Sequence, residues 1–496
     1  MRKVAIIELG TLKVKMVIAE VQNNETYIVL DQISDSLKIA SDLYEDWLIK
    51  PARTQELVAI LKNYRAYCQA QDVEDFECVA SFEYLDAKNH SSFIEELYSQ
   101  SGFKFKVLEK DEQIMNYYTS TINTLDVSKG LIVSIEGNKA QILNYNRRNL
   151  LNQMTFDFGA CNLAEASYEE GLVSDKLCEK MVNKFKDEIK EATWLKELDP
   201  ETQIIGVGDI FTGISKLSRK IKKYPYDKDH NYNMTIDDFE KVYDLIKTLE
   251  IDKTKKLKGV SNIRADILAA GICIAKAIVN ESICQNIVIN QNGIGEGVLL
   301  NVATPLTLEK PITDILGYSL ERLNSYYNTY SKNTSTVYSL AMILYKQLKV
   351  LHKLPRTFIK VLRIASTFHD CGKRINAIRY EKNGFDIVMK SDICGATHRE
   401  QVLAAFVVAC QYTEDFNMSE FIKYKEQLFE EEDMDAVKKL GVIVRMASAL
   451  DCFNKNKIQD ISCDILGDSV ILKTIVEVSA EMEIKEALKC ELDFLK

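Results

Sequence analysis

Two short turns in the first third of the chain carry residue types that can do chemistry. Glu8, Gly10, Thr11 and Lys13 cluster between the apolar stretches VAII and VKMVIAEV. Ser134, Glu136, Gly137, Asn138 and Lys139 return in a second turn. Overlaying Glu8 on Ser134 superposes Gly10-Thr11 on Glu136-Gly137 and Lys13 on Lys139. Glycine in a turn lets backbone N–H groups approach an anion with no Cβ in the way. Lys13 and Lys139, at equivalent points, could face each other across a cleft and hold an anion from both sides. Each also reads as a solvated turn lysine. Glu8 at a strand end can accept turn N–H groups or serve a hard cation. With only 5 His in the chain, a histidine-rich metal centre is close to excluded.

The elements that must position these groups are legible as periodicities. VAIIEL, VKMVIAEV and TYIVLDQIS read as three antiparallel strands, with the Gly10-Thr11 turn between the first two. RTQELVAILKNYRAYCQAQ has helical spacing, with Leu57, Ile60, Leu61, Tyr64 and Cys68 on one face. A strand at FECVAS and a helix at HSSFIEELYSQ complete an α/β lobe. GLIVSIEG, KAQILNYN and NLLNQMTFDFG repeat the meander, which predicts a duplicated domain with a cleft between its copies. From Pro305 the pattern turns helical to about Leu450, and the tail ISCDILGDSVILKTIVEVSAEMEIKEALKCELDFL reads strand, tight turn, strand, helix.

At 496 residues the chain exceeds one core, and three or four domains are expected. Its 46% hydrophobic and 27% charged residues fit a soluble globular protein. No run approaches the apolar length of a membrane span, and MRKVAIIELG reads as a first strand and not as a signal peptide. The 12 cysteines stand singly with no Cys-x-x-Cys pair, which points to reduced, buried thiols and a cytoplasmic protein. A net charge of −10 disfavours general nucleic-acid binding, while Arg219–Lys223 and Lys253–Lys258 are local basic segments that could still hold an anion.

In order along nearly the whole chain, IIELGTLKVKMVIAEV, SFEYLDAKN, FKVLEKDEQIMNYY, LIVSIEGNKAQIL, FDFGACNLAE, IIGVGDIFTGISKL, NIRADILAAGICIAKAIV and NGIGEGVLL resemble the signature segments of the exopolyphosphatase/guanosine-pentaphosphatase (Ppx/GppA) family. The resemblance implies an α/β fold of duplicated actin/hexokinase-type (ASKHA, ribonuclease H-like) lobes, then an all-α HD-like domain and a small C-terminal α/β piece. The expected divisions are 1–125, 126–303, 304–453 and 454–496. It further implies a hydrolase releasing terminal phosphate from polyphosphate or guanosine pentaphosphate with a divalent metal, Mg²⁺. Glu112 takes the position of the catalytic base and Glu8 that of a metal carrier. Gly10, Thr11, Lys13, Gly137, Asn138, Lys139 and Arg264 take those of phosphate contacts. Family members are often homodimers, and the long helices offer an interface.

The motifs also depart from the family. Leu12-Lys13 replaces Asn-Ser, Ser134 replaces an aspartate, and Glu136 and Asp209 stand where glycines belong. Leu85 and Asn162 replace arginines, and Gln141 replaces the acid ending the second loop. In the helical region His369-Asp370 persists, but the upstream His position is Asn333, so His369 is expected to be a buried structural residue. The resulting expectation is a phosphohydrolase with attenuated turnover. The alternative is a non-catalytic regulatory homologue binding polyphosphate or nucleotide.

Overall fold

The computed structural model describes residues 2–476 except 24, 38, 168–173, 249–264, 305–311, 328–333, 379, 411–418, 452–456 and 467–468. Compact packing divides the chain into two units, 1–315 and 316–496.

The expected opening meander is present as β1 (Arg2–Leu9), β2 (Lys13–Val21) and β3 (Tyr27–Ser36), all antiparallel. Helices α1 (Ile39–Asp46) and α2 (Pro51–Ala70) lead to β4 (Asp75–Ala80), which lies parallel to β1. Helix α3 (His90–Ser101), the short β5 (Lys106–Val107) and α4 (Lys110–Ile122) complete the lobe, with sheet order β3-β2-β1-β4-β5. Val4, Ala5, Ile6 and Ile7 are all buried because β1 is a central strand covered on both faces. The apolar stripe of α2 shares one core with Ala5 and Ile7 through Leu57, Leu61, Tyr64 and Cys68.

The second lobe repeats this order. β6 (Lys129–Ile135), β7 (Ala140–Asn146) and β8 (Asn149–Phe156) form the second meander. Helices α5 (Ala160–Glu165) and α6 (Asp175–Ile189) precede β9 (Gln203–Val207), parallel to β6. Next come α7 (Asp209–Lys222), β10 (Asn233–Thr235), α8 (Ile236–Thr248), α9 (Ala265–Glu281), β11 (Asn286–Asn290) and α10 (Ile294–Ala303). The sheet runs β10-β11-β9-β6-β7-β8. Without the extra edge strand β10 it matches the first sheet strand for strand. Helix α9 is apolar nearly all round and buried from Ile267 to Val279 save for the half-buried Lys276, as a helix enclosed by its own lobe must be. Helix α10 returns to the first lobe and packs on α4 and β1.

The second unit is largely helical. It contains α11 (Ile315–Tyr327, whose first residue closes the first unit), α12 (Thr334–Gln347), α13 (Lys349–His352), α14 (Ile359–Thr367), α15 (Tyr380–Lys390), α16 (His398–Cys410), α17 (Ser419–Lys425) and α18 (Asp433–Leu450). Helix α16 is buried almost throughout. Arg399 on it donates to both carboxylate oxygens of Asp433 on α18, at 2.9 and 2.6 Å. The hairpin β12 (Ile458–Leu466) and β13 (Ser469–Val476) follows; the tail helix expected after it lies outside the described residues. No described helix is long and apolar enough to cross a membrane.

Candidate functional site

The two meander turns are built alike. The Gly10 N–H donates to the Lys13 carbonyl at 2.9 Å, and the Glu136 N–H donates to the Lys139 carbonyl at 2.9 Å. The strand registers also correspond: Glu8 pairs with Lys15, and Ser134 with Gln141. The turns touch at Gly137, where a Cβ would lie 2.6 Å from Ala40 Cβ and 2.8 Å from Thr11 Oγ1. Only glycine allows that approach.

Glu83 fastens the contact. It sits on a 3-10 turn, Phe82–Asp86, directly after β4 and is 1% exposed. Its Oε2 accepts the Thr11 hydroxyl at 3.3 Å and the Asn138 backbone N–H at 3.0 Å. Burial and the neighbouring Glu136 push its carboxyl up to about 8. Asn138 also donates through Nδ2 to the Ala40 carbonyl at 2.9 Å. Asn162 braces the same loop by donating to the Asn138 carbonyl at 3.1 Å.

The two lysines have carboxylate partners. Lys13 crosses to the second lobe and donates to Asp209 at 2.6 Å. Burial works against its charge, but Asp209, Glu8 and Glu136 outweigh it and hold its pKa above the usual lysine value. Asp209 opens α7 behind Gly208, whose φ of 87° is the left-handed conformation that glycine adopts without strain. Lys139 reaches Asp86 at 2.7 Å and Asp157 at 2.8 Å. Neither lysine stands as a free anion clamp.

Glu8 accepts the Gly295 N–H at the start of α10, at 2.9 Å. Burial pushes its carboxyl up, and Lys15 and Lys13 oppose that push. Lys15, its cross-strand neighbour, pairs with Glu296 of α10. Ser134 donates to Glu136 at 3.1 Å, and Glu136 also accepts the Tyr117 hydroxyl. On their own these residues do not assemble a metal site. Glu8 spends one oxygen on a backbone amide, Ser134 supplies no charge, and among the described residues no group of three or more His, Cys, Asp or Glu is gathered to hold an ion.

Glu112 and its neighbour lie on different sides of α4. Glu112 is 40% exposed, pairs with Lys106 at 2.5 Å and caps the Glu109 N–H at 3.1 Å. Those bonds hold its carboxyl below the usual range. Gln113 turns inward, accepts the Phe82 N–H at 3.2 Å and donates to Gln141 at 3.4 Å. Gln141 in turn donates to Thr155 at 3.1 Å. A pair of buried amides therefore links the start of α4 to the second turn. Sequence reasoning missed Glu83, Glu296 and Gln113. The one available signal was a Glu inside the apolar run VASFEYL.

The basic segment at Arg219 is partly internal, with Lys220 and Lys223 exposed. Arg219 is buried and pairs with Asp227 and Asp229, and Lys222 pairs with Asp238. Lys253–Lys258, Arg264 and Asn333 lie outside the described residues. In the second unit His369 is buried, with Nδ1 2.9 Å from the Ser366 carbonyl. Burial lowers its pKa, and Asp370 opposes that shift.

Comparison with known proteins agrees with this architecture. The pattern of the Ppx/GppA phosphatase family matches residues 17–305, and that of Ppx/GppA phosphatase domain III matches residues 317–490. A bifunctional 3-dehydroquinate synthase/phosphatase of Fusobacterium nucleatum is 23% identical over 310 residues, covering 60% of this chain and 46% of that protein. The chain thus spans less than half the length of this curated relative. An exopolyphosphatase from Cytophaga hutchinsonii superposes with a TM-score of 0.57 at 15% identity, covering 61% of this chain and 98% of the other. A Ppx/GppA family member from Aquifex aeolicus gives 0.52 at 20% identity, with 61% and 97% coverage. At these identities the two structures speak for the fold.

Proposed function

The chain belongs to the Ppx/GppA phosphatase family, and on that premise we propose that its interlobe cleft receives the terminal phosphates of inorganic polyphosphate or guanosine pentaphosphate and releases phosphate slowly. The carrying observation is the pair of equivalent turns, closed by the same hydrogen bond and meeting at Gly137, with Lys13 reaching from one lobe to the other. An incoming phosphate would take Lys13 from Asp209 and use the backbone N–H groups of both turns.

The same geometry supports a slow turnover. Glu136 and Asp209 stand beside the lysine and repel an anion until it displaces them. The buried amides of Gln113 and Gln141 can orient water and cannot accept its proton. Proton acceptance would fall to Glu112, which lies on the other side of α4 from the amide pair and whose carboxylate is made less basic by Lys106. The Gln113–Gln141 pair also favours a second reading, a regulatory protein that binds the same polyanion without cleaving it.

Phosphate release from polyphosphate and from guanosine pentaphosphate, with Mg²⁺ and with Mn²⁺, separates the two. Release should be measurable for the wild type and fall about 100-fold in Glu112→Gln, the lower end for loss of a general base. Equal release from both proteins would remove Glu112 from the chemistry. No release from either, together with micromolar binding, would establish the regulatory reading.

A further inference from the structure

Glu83 has an unusual set of partners for a carboxylate inside a fold. One oxygen, Oε2, takes a hydroxyl from the first turn (Thr11) and a backbone N–H from the second (Asn138). The other, Oε1, is buried with no hydrogen-bond partner among the described residues. Thr11 and Asn138 are donors of the kind two facing phosphate loops would offer an external anion. A carboxylate carried by the chain itself already sits between them. From the surrounding elements, Glu136 and Lys139 of the second turn and Tyr84 of Glu83's own turn are the ionisable neighbours. Lys139 is shared with Asp86 and Asp157, so its charge is largely spent elsewhere. The first turn contributes the Thr11 hydroxyl, and its lysine is committed to Asp209.

We propose that Glu83 is a built-in anion surrogate, a protonatable bolt that joins the two turns and competes with an external phosphate for Thr11 and Asn138. The competition part rests on the anion-binding reading of the cleft; the bolt does not. With the carboxyl pushed up to about 8, the bolt changes charge within the working pH range. Neutral Glu83 holds the donors weakly and carries a proton that can face an anion through Oε1. Ionised Glu83 fills the donors and repels phosphate. Anion binding therefore weakens as pH rises through about 8. The folded-state value lies above the ordinary carboxylate value, so neutral Glu83 stabilises the fold at low pH. That contribution is lost as pH rises towards the folded value.

Two measurements on the full chain decide the matter, comparing wild type with Glu83→Gln, a neutral isostere that cannot ionise. The first is the ligand-free melting temperature between pH 5 and 9. The wild type should lose melting temperature relative to Glu83→Gln as pH rises; parallel curves would overturn the bolt. The second is calorimetric binding of tripolyphosphate at pH 6.5 and 9, which cancels the ligand's own titration between the two proteins. Wild-type affinity should fall at least about tenfold more than that of Glu83→Gln, the equivalent of one pKa unit. Equal losses would overturn the competition while the melting curves still report the bolt. No binding by either protein at any pH would overturn the cleft's proposed function. Glu83→Ala, which leaves both donors open, should bind more tightly than wild type and with the same pH dependence as Glu83→Gln; weaker binding by this variant in a folded protein would count against the surrogate.

Discussion

Lys13 shows how a single residue changes the meaning of a motif. Its place in the first turn and its equivalence to Lys139 are legible by overlaying two short stretches. Its partner is not, because Asp209 lies far along the chain and only the closing of two lobes brings it to 2.6 Å. The pair is partly exposed, so its own contribution to stability is about 0.5–1 kcal/mol. Its effect on an anion should be larger. Asp209→Gly should bind tripolyphosphate about tenfold more tightly than wild type, and Lys13→Ala should bind more weakly by a similar factor, in line with charge-assisted hydrogen bonds. Calorimetry reads both; a tighter Lys13→Ala would show that the lysine does not meet the ligand. Glu112 and Gln113 give a complementary lesson. Adjacent helical residues point about 100° apart, so the sequence names the turn of α4 without saying which neighbour faces inward. Packing of α4 against α10 and the second sheet decides that, and it places the amide inside.

At the scale of elements, the two meanders were readable because β-branched runs and turn residues agree with each other. The two-residue strand β5 carries too short a pattern to be read. The return of α10 to the first lobe is a tertiary contact with no local signature. The junction of the two turns depends on the absence of a side chain at Gly137. Gly137→Ala would drive a methyl group into Thr11 and Ala40, and overpacking of this kind costs about 1–3 kcal/mol. The denaturation midpoint should fall accordingly, with circular dichroism at low denaturant unchanged. An unaltered midpoint would mean that the turns separate easily, which would also weaken the case for their acting together.

At the scale of the whole chain, the groups proposed to meet phosphate all belong to the first compact unit, and the helical unit carries its own buried core. Thermal unfolding is therefore expected to deviate from a single two-state transition. Tripolyphosphate at about 100 times its Kd should stabilise the unit that binds it by about 2.7 kcal/mol, moving one calorimetric transition and leaving the other in place. A uniform shift of a single transition would show that the units unfold together. The sequence turns to helical periodicity at Pro305, and compact packing divides the chain between residues 315 and 316. The fold class was legible because the order of many weak segments survives substitution of their reactive residues. One of those substitutions has a genetic side. A glutamine codon lies a single base from a glutamate codon, and Gln141 already rests against an inward amide, Gln113, able to steady a new carboxylate. If the cleft turns over as slowly as proposed, the step to a more reactive one is short in mutational terms, and a population under selection for phosphate release would find Gln141→Glu among its first accessible variants.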